Sequence, residues 1–137
     1  MPSSSKCRIV LVDDFQPWRT WVCSILQTQK AIQIVGQAAD GSEAVQKTEE
    51  LMPDVLLLDI GLPTLNGIDA AARIKASSPG TKIVFLTQDN DADVVRAVLS
   101  NGAMGYVVKV DAGSELFPAI EAVIAGKRFI SSSTAVI

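Results

Sequence analysis

The chain has 137 residues, 48% of them hydrophobic, and it carries a formal net charge of −3 without a single histidine. This length suits one domain, and the hydrophobic content argues against a disordered chain. The lack of histidine excludes histidine-based catalysis and argues against a zinc site, and the lack of a basic face argues against direct contact with DNA.

Five short apolar runs, each typical of a strand buried on both faces of a sheet, alternate with segments of helical periodicity. Alternation at this spacing predicts right-handed crossovers and a doubly wound α/β fold, with a five-stranded parallel sheet between two layers of helices. The second strand alternates apolar and polar residues and is predicted at an edge, whereas the first and third are predicted to be central. The strands are predicted over residues 8–13, 32–38, 54–59, 82–87 and 105–109.

The helices are predicted from apolar periodicity and from residues that start or stop helices. Pro17 suits the first turn of the first helix, and Asn101-Gly102 suits a left-handed end to the fourth. Asp111 and Gly126 suit the N-cap and the C-cap of the last helix. That helix has the clearest apolar stripe, formed by Leu116, Phe117, Ile120, Val123 and Ile124. The other helices are predicted over residues 17–29, 41–52, 66–77 and 91–101, the fourth opening at Asp89-Asn90-Asp91.

The two ends of the chain lack periodicity. Residues 1–6 have no long apolar core and are predicted to be a disordered lead-in rather than a signal peptide. Residues 128–137 are predicted to be a tail or the start of a linker, so the folded domain is predicted over residues 7–127. No apolar stretch approaches the ~20 residues of a membrane-spanning helix. Cys7 and Cys23 lack metal-ligand spacing and are predicted to be reduced and structural, which indicates a cytoplasmic protein.

Polar side chains follow four of the predicted strands at the points where those strands end. Asp13 and Asp14 follow the first strand, Asp59 the third, Thr87 the fourth and Lys109 the fifth. Because functional groups of open α/β sheets gather at the carboxyl ends of strands, we expect these side chains to meet at one edge. Each has an ordinary explanation alone, such as helix capping for an aspartate or solvation for a lysine. Their coincidence at strand ends is what predicts a site.

The charges of this predicted site indicate what it binds. Carboxylates ~5 Å apart repel by roughly 3 kcal/mol per pair at an effective dielectric near 20, so three of them need a proton or nearby cations. Hard oxygen ligands without histidine or cysteine favour Mg²⁺, or Mn²⁺. Lys109 adds a fixed positive charge, and Thr87 adds a donor for a phosphoryl oxygen. Asp59, on its own strand, is the natural nucleophile for forming an acyl phosphate.

Five motifs occur in order along the chain: Val12-Asp13-Asp14, Leu58-Asp59-Ile60-Gly61-Leu62-Pro63, Asn66-Gly67, Leu86-Thr87 and Tyr106-Val107-Val108-Lys109. Each alone is weak, but the ordered set resembles the receiver (CheY-like) domain of two-component response regulators, over roughly residues 7–130. The stretches 102–106 and 125–130 are similar to the NarL/FixJ-type subfamily, whose members commonly carry a helix-turn-helix DNA-binding domain after the receiver.

This resemblance implies a flavodoxin-like sheet with strand order 2-1-3-4-5 and a phosphoacceptor site. It implies that Asp59 accepts a phosphoryl group from a sensor histidine kinase. It also implies that Asp14, Asp59 and the Gly61 carbonyl bind Mg²⁺, with Asp13 contacting the ion mainly through water.

The resemblance further implies how the phosphate is read and passed on. Lys109 and Thr87 contact the phosphoryl group, and Tyr106 changes rotamer while the face of helix 4, strand 5 and helix 5 is remodelled. The implied output is one such as transcription, with DNA contacted only through an output domain absent from this chain. Homodimerisation on phosphorylation is a further implied property, and no enzyme activity is implied beyond self-phosphorylation and autodephosphorylation.

Several positions depart from the common receiver pattern. Val110 follows the lysine where many receivers have a proline, which argues against a cis peptide there. Gly61, two residues after the predicted phosphoacceptor, offers no side chain to the site. Gln88 stands where a small residue is usual, and Asp89 adds a negative charge. We hypothesise that Gly61, Gln88 and Asp89 tune the lifetime of the phosphate.

Other side chains have structural interpretations. Trp18 and Trp21 lie at i and i+3 on the first helix and are expected to pack in the core or a groove, with a dimer surface as the alternative. Tyr106, if not a switch, is expected to be a half-buried strand aromatic. Pro63 and Gly67 are expected to shape the loop after Asp59, with Gly67 permitting turn geometry.

Three alternative functions are considered, and each would be expected to show a different residue pattern from the one in this chain. A Mg²⁺-dependent phosphatase of the haloacid dehalogenase type would need an aspartate where Gly61 stands. A pseudo-receiver that is never phosphorylated would not need the complete set of acidic residues, threonine and lysine. A flavodoxin-like cofactor binder would need a loop rich in Gly, Ser or Thr after strand 1, and residues 13–17 are acidic instead.

Overall fold

The protein, seen in a computed structural model, is described over residues 6–88, 92–100 and 103–131. The predictions that fall on residues 1–5 and 132–137, on the helix start at Asp89-Asn90-Asp91 and on the helix end at Asn101-Gly102 lie outside the described residues. No helix within the described ranges is long and apolar enough to cross a bilayer.

Parallel strands form one sheet, and the carboxyl ends of all the strands lie at the same edge of it. The strands are β1 (Cys7–Val12), β2 (Ile32–Ala38), β3 (Val55–Leu58), β4 (Lys82–Thr87), β5 (Gly105–Val108) and β6 (Phe129–Ile130). Their order is β2-β1-β3-β4-β5-β6, which confirms the predicted class and the order 2-1-3-4-5, with β2 at an edge and β1 and β3 inside. The predicted number of five strands is wrong, because β6 adds a sixth. β6 pairs with β5 and carries the sheet past residue 127, while the predicted domain limits stay a prediction.

The helices between the strands begin where the sequence supplies caps. Asp40 accepts a hydrogen bond from the backbone N–H of Glu43 at 2.8 Å, and Asn66 accepts one from Asp69 at 2.9 Å, so two helices start at side-chain caps. Pro17 lies in the first turn of the first helix, as predicted. The helices are α1 (Gln16–Leu26), α2 (Gly41–Leu51), α3 (Gly67–Ser77), α4 (Ala92–Ser100) and α5 (Ala112–Ile124).

The sheet separates two hydrophobic clusters, because successive residues of a buried strand point to opposite faces. On β1, Ile9 and Leu11 join the cluster beneath α1 and α5. Val10 and Val12 join the cluster beneath α2, α3 and α4. Both faces of the sheet are therefore filled with apolar side chains, and polar chemistry is confined to the ends of the strands.

Several local predictions are wrong, and each has a physical reason. β5 ends at Val108, because Lys109 begins a short 3₁₀ turn, Lys109–Asp111, that leads into α5. Asp111 occupies the N-cap position of α5, as predicted, but its side chain makes no cap hydrogen bond; its Oδ2 accepts one from the Ser131 hydroxyl at 2.9 Å. Ile124 is 50% exposed at the end of the apolar stripe. Gly126 does have the left-handed φ, +80°, expected at a helix end.

Candidate functional site

The side chains predicted to form a site meet at the carboxyl edge of the sheet. They line one open cavity of about 410 Å³. Because β1, β3, β4 and β5 are neighbours in the sheet, the loops after them deliver these groups to one place. The residues that line the cavity are Asp13, Asp14, Phe15, Asp59, Ile60, Gly61, Thr87, Gln88 and Lys109.

Backbone hydrogen bonds fix two of the aspartates just beyond the ends of their strands. The Asp13 N–H donates to the carbonyl of Ala38, and the Asp59 N–H donates to the carbonyl of Val12, each at 3.1 Å. The strand ladder thus continues for one residue past β1 and β3, so the two carboxylates start from rigid positions.

Three carboxylates form the acidic centre of the cavity. Asp13, Asp14 and Asp59 each present an oxygen within 4.8 Å of the others. Asp13 and Asp59 are buried, with 1% and 8% of their surfaces exposed, whereas Asp14 faces solvent. Such a set of hard oxygen ligands, without histidine or cysteine, fits Mg²⁺ or Mn²⁺, and its mutual repulsion favours a bound cation.

Lys109 is the cation that the chain itself supplies to this centre. Its Nζ lies 2.6 Å from Asp13 Oδ2 and 3.8 Å from Asp59 Oδ2. At the first distance Lys109 donates a charge-assisted hydrogen bond to Asp13, and at the second it forms an ion pair with Asp59 without a direct hydrogen bond. Lys109 therefore rests mainly on Asp13 while remaining within short reach of Asp59.

Asp13 is held by contacts on several sides. Its Oδ1 accepts a hydrogen bond from the backbone N–H of Phe15 at 2.9 Å, and its carbonyl accepts one from the Arg19 guanidinium at 2.5 Å. With Oδ2 committed to Lys109, both carboxylate oxygens have partners within the protein. Asp14 and Asp59 are consequently the more available of the three acids for direct contact with an added cation.

The environment of Asp59 opposes its ionisation. Burial raises the pKa of this carboxyl above its usual range, and the nearby charges of Asp13 and Asp14 raise it further. The Lys109 ammonium and a backbone hydrogen bond at Gly61 act in the opposite direction. A carboxylate in this position is stabilised by any further positive charge brought into the cavity.

Thr87, predicted to contact the phosphoryl group, and Tyr106, predicted to change rotamer, occupy different positions. Thr87 is the last residue of β4, is 4% exposed and lines the cavity. Tyr106 is fully buried in the cluster beneath α2, α3 and α4, so the interpretation as a half-buried aromatic is wrong. Its ring lies in the core because β5 is an interior strand with β6 on its outer side.

Of the residues predicted to tune the lifetime of the phosphate, Gly61 and Gln88 line the same cavity as the three aspartates. Gln88 is exposed on the rim of the cavity, while Asp89 lies outside the described residues. At Gly61 an added Cβ meets nothing within 4 Å, so the cavity has room for a side chain there. At Gly67, by contrast, a Cβ lies only 2.1 Å from the Asp59 carbonyl oxygen. Close approach, rather than turn geometry, is what requires glycine at Gly67.

Two aromatic contacts of the site are not among the predicted site residues. Phe15 is 62% exposed at the cavity rim, and the ring centroid of Trp18 lies 5.0 Å from Lys109 Nζ. Trp18 packs against the core beneath α1 and α5, as expected from its helical spacing. The contact between the Trp18 ring and Lys109 could not be predicted from the sequence, because the two residues are far apart along the chain. Among the described residues no peptide bond is cis, which includes the bond between Lys109 and Val110.

Comparisons with known proteins agree on one family. The family described as the response regulator receiver domain matches residues 9–121. The oxygen regulatory protein NreC of Staphylococcus aureus is 40% identical over 124 residues, which is 90% of this chain and 57% of NreC. The chain thus spans somewhat more than half the length of such relatives.

Solved structures give the same result. A two-component response regulator of the LuxR family from Aurantimonas sp. SI85-9A1 superimposes with a TM-score of 0.91 and 33% identity, covering 96% of this chain and 94% of that one. The signal receiver domain of a protein assigned as the response regulator NarL, from Mycobacterium tuberculosis, superimposes with a TM-score of 0.85 and 28% identity, covering 90% and 99%.

Proposed function

The chain belongs to the response regulator receiver domain family, in its NarL/FixJ-type branch, and on this premise we propose that Asp59 is its phosphoacceptor. The observation that carries the proposal is the position of Asp59, a buried carboxylate with Lys109 Nζ at 3.8 Å and two further acids within 4.8 Å. A nucleophile, a fixed cation and a place for a divalent cation then adjoin one another, which is what phosphoryl transfer to an aspartate needs.

The chemistry is a displacement at phosphorus. An Asp59 carboxylate oxygen forms a bond to the phosphorus of a phosphohistidine, the P–N bond breaks, and the donor imidazole takes up a proton as it leaves. The product is an acyl phosphate, which water later hydrolyses, releasing inorganic phosphate and restoring the carboxylate. We assign no enzyme activity to the chain beyond this self-phosphorylation and the autodephosphorylation that follows it.

Mg²⁺, or Mn²⁺, is the proposed cofactor. The carboxylates of Asp14 and Asp59, together with the Gly61 carbonyl, would bind it, and Asp13 would contact it mainly through water. This division agrees with the contacts of Asp13, whose carboxylate oxygens already accept from Phe15 and Lys109. When bound, the ion supplies neutralisation of the charge that gathers on the transferring phosphoryl group.

The signal is proposed to leave the site through three residues. Lys109 moves from Asp13 toward the phosphoryl group, and Thr87 donates a hydrogen bond to it. Tyr106 then changes rotamer, and the face of α4, β5 and α5 is remodelled. Such a change is a population shift, because the phosphoryl group makes contacts in one state that it lacks in the other.

The partners follow from the same proposal. The donor is a sensor histidine kinase, and the output is transcription or a similar process, with DNA contacted only through a domain outside this chain. A homodimer formed on phosphorylation and a cytoplasmic location without membrane contact complete the proposal. A pseudo-receiver or an aspartyl-nucleophile phosphatase is less well supported, since the acids, Thr87 and Lys109 are all present at the cavity and Gly61 offers no acid/base group.

One experiment tests the phosphoacceptor. The protein is incubated with Mg²⁺ and acetyl phosphate, and intact mass is measured over time. We expect a single adduct of about 80 Da that is absent from Asp59→Asn. Asp69→Asn, which changes an exposed acid at the start of α3, is the matched control and should keep the adduct. An adduct that persists in Asp59→Asn, or none on the wild type with any donor, rejects the assignment.

A further inference from the structure

Lys109 is in contact with an aromatic ring as well as with carboxylates. Its ammonium nitrogen lies 5.0 Å from the centroid of the Trp18 ring, within the distance at which a cation is attracted by a π face. The same nitrogen lies 2.6 Å from Asp13 and 3.8 Å from Asp59. Groups on three separate elements thus surround one flexible lysine head.

Trp18 is itself held in place by its neighbours. It packs against the core beneath α1 and α5, and its ring centroid lies 5.0 Å from that of Trp21, with the planes tilted by 36°. Trp21 in turn lies near the start of α5: its ring carbons are 3.9 Å from the position that an added Cβ would take at Gly113. Two neighbouring indoles therefore lie between the start of α5 at Gly113 and the ammonium of Lys109.

The indole N–H gives no alternative reason for the position of Trp18. Nε1 is buried, and no hydrogen-bond partner for it is found among the described residues. The ring is therefore oriented by contacts of its faces and edges, that is, by packing on one side and by Lys109 on the other.

A lysine at such a site gains from being held. Its four-carbon stem has several rotatable bonds, and an ammonium free in water would have many orientations to lose before it reached a phosphoryl oxygen. The Lys109 side chain is only 13% exposed, so the ammonium has exchanged most of its water for Asp13, Asp59 and the indole. Groups positioned before the reaction lower its barrier because that ordering is already complete.

We propose that Trp18 is a positioning residue for phosphoryl transfer, whose ring holds the Lys109 ammonium beside Asp59. This inference rests on the proposed function of Asp59. Trp18 touches neither the phosphoryl donor nor the acceptor and acts through Lys109 alone. Its effect should therefore disappear when Lys109 is removed, which a purely structural role in packing α1 would not predict.

The first measurement compares rates of adduct formation from acetyl phosphate and Mg²⁺, followed by intact mass. This small donor makes no extended contact with the protein, so docking of a kinase cannot influence the result. We expect Trp18→Leu to slow the reaction about fivefold. Trp18→Phe, which keeps an aromatic face, should stay within about twofold of the wild type. Phe117→Leu, the loss of another aromatic ring packed against the same core, should also stay within about twofold.

The second measurement is a double-mutant cycle. Trp18→Leu is combined with Lys109→Met, and we expect no further slowing beyond that of Lys109→Met alone. Equal slowing by Trp18→Leu in both backgrounds, or equal slowing by Trp18→Leu and Phe117→Leu, assigns the effect to packing of the core and overturns the proposal. So does a Trp18→Leu rate equal to that of the wild type.

The two proposals fail in different ways. If the wild-type chain forms no adduct, the phosphoacceptor assignment fails and the positioning role fails with it. If the wild type is phosphorylated on Asp59 and Trp18→Leu reacts equally fast, only the role of Trp18 is rejected. Circular dichroism of each variant shows whether it folds. If Trp18→Leu does not fold, Trp18→Phe decides the question: a rate below half of the wild-type rate would overturn the positioning role.

Discussion

The Lys109 ammonium lies closer to Asp13 than to Asp59, at 2.6 Å against 3.8 Å. In the absence of added cations this lysine is the positive charge that the described structure places at the acidic cavity. Lys109→Met should therefore lower the free energy of unfolding by about 1–3 kcal/mol, since it leaves buried carboxylates uncompensated. Urea titration in metal-free buffer measures this loss, and Mg²⁺ should restore part of it.

A matched control comes from the ion pair between Arg96 and Asp93. These groups lie 2.6 Å apart, but their side chains are 63% and 88% exposed. Arg96→Met should change the free energy of unfolding by less than about 0.5 kcal/mol, because solvent screens an exposed pair. Equal losses in Lys109→Met and Arg96→Met would mean that burial adds nothing to the pair in the cavity.

Asp59→Asn should stabilise the metal-free protein at neutral pH. Burial raises the pKa of Asp59 above its ordinary value of 3.8, and so do Asp13 and Asp14. The folded chain thus binds this proton more tightly than the unfolded chain. The contribution of Asp59 to stability is full below pH 3.8 and is lost as the pH rises through the raised pKa. The substitution removes that loss.

The measurement is a series of urea titrations of wild type and Asp59→Asn across this pH range without divalent cations. At pH 7 we expect the variant to be more stable by roughly 1 kcal/mol, a fraction of the repulsion between close carboxylates at an effective dielectric near 20. The difference should shrink as the pH falls toward 3.8. A difference that grows on acidification would contradict the assigned direction of the pKa shift.

Glycine substitutions at two positions after Asp59, Gly61 in the loop and Gly67 at the start of α3, should have opposite outcomes. A Cβ at Gly67 would lie 2.1 Å from the Asp59 carbonyl oxygen, whereas a Cβ at Gly61 meets nothing within 4 Å. Gly67→Ala should lower the free energy of unfolding by about 2 kcal/mol or more and displace Asp59. Gly61→Ala should be neutral or slightly stabilising. Thermal unfolding separates them, and similar losses in both variants would show that loop flexibility, not close approach, matters.

The sequence predicted the sheet well because its strands are apolar runs with little ambiguity. Val55–Leu58 could hardly be anything but a buried strand, and the acids after such strands had to meet at one edge. Local details at strand ends were harder. Whether Lys109 continues β5 or begins a 3₁₀ turn depends on the packing of α5. Asp111 is the N-cap residue of α5, but its carboxylate accepts from Ser131, which is distant in sequence, and makes no cap hydrogen bond.

Two features of the site depended on contacts between distant residues. The glycine pattern suggested a turn at Gly67, but the reason for glycine is the carbonyl of Asp59, which only the fold brings near. Likewise, the spacing of Trp18 on α1 predicted burial, and that was correct for one side of the ring. The contact with Lys109 follows from the position of α1 beside the 3₁₀ turn, for which the sequence has no periodic signal.

Gln88→Ala should change the lifetime of the phosphate. Gln88 lies at the exposed rim of the cavity, where its side chain can obstruct the approach of water to Asp59. Removing it should shorten the half-life of the aspartyl phosphate by a factor of about two to five, the size of effect expected when a barrier changes by less than about 1 kcal/mol. Decay of the ~80 Da adduct after removal of the donor measures the half-life, and equal half-lives reject the hypothesis.

Ser131→Ala should destabilise the end of the described chain. The Ser131 hydroxyl is buried and lies 2.9 Å from Asp111 Oδ2 and 2.5 Å from Glu115 Oε1, while its backbone N–H donates to the Tyr106 carbonyl at 2.8 Å. Loss of the hydroxyl removes a hydrogen-bond donor that lies between two carboxylates, so the free energy of unfolding should fall by about 1–2 kcal/mol. Ser24→Ala, at an exposed serine of α1, should cost less than about 0.5 kcal/mol. Equal urea midpoints for wild type and Ser131→Ala would mean that backbone pairing of β6 with β5 alone holds this segment.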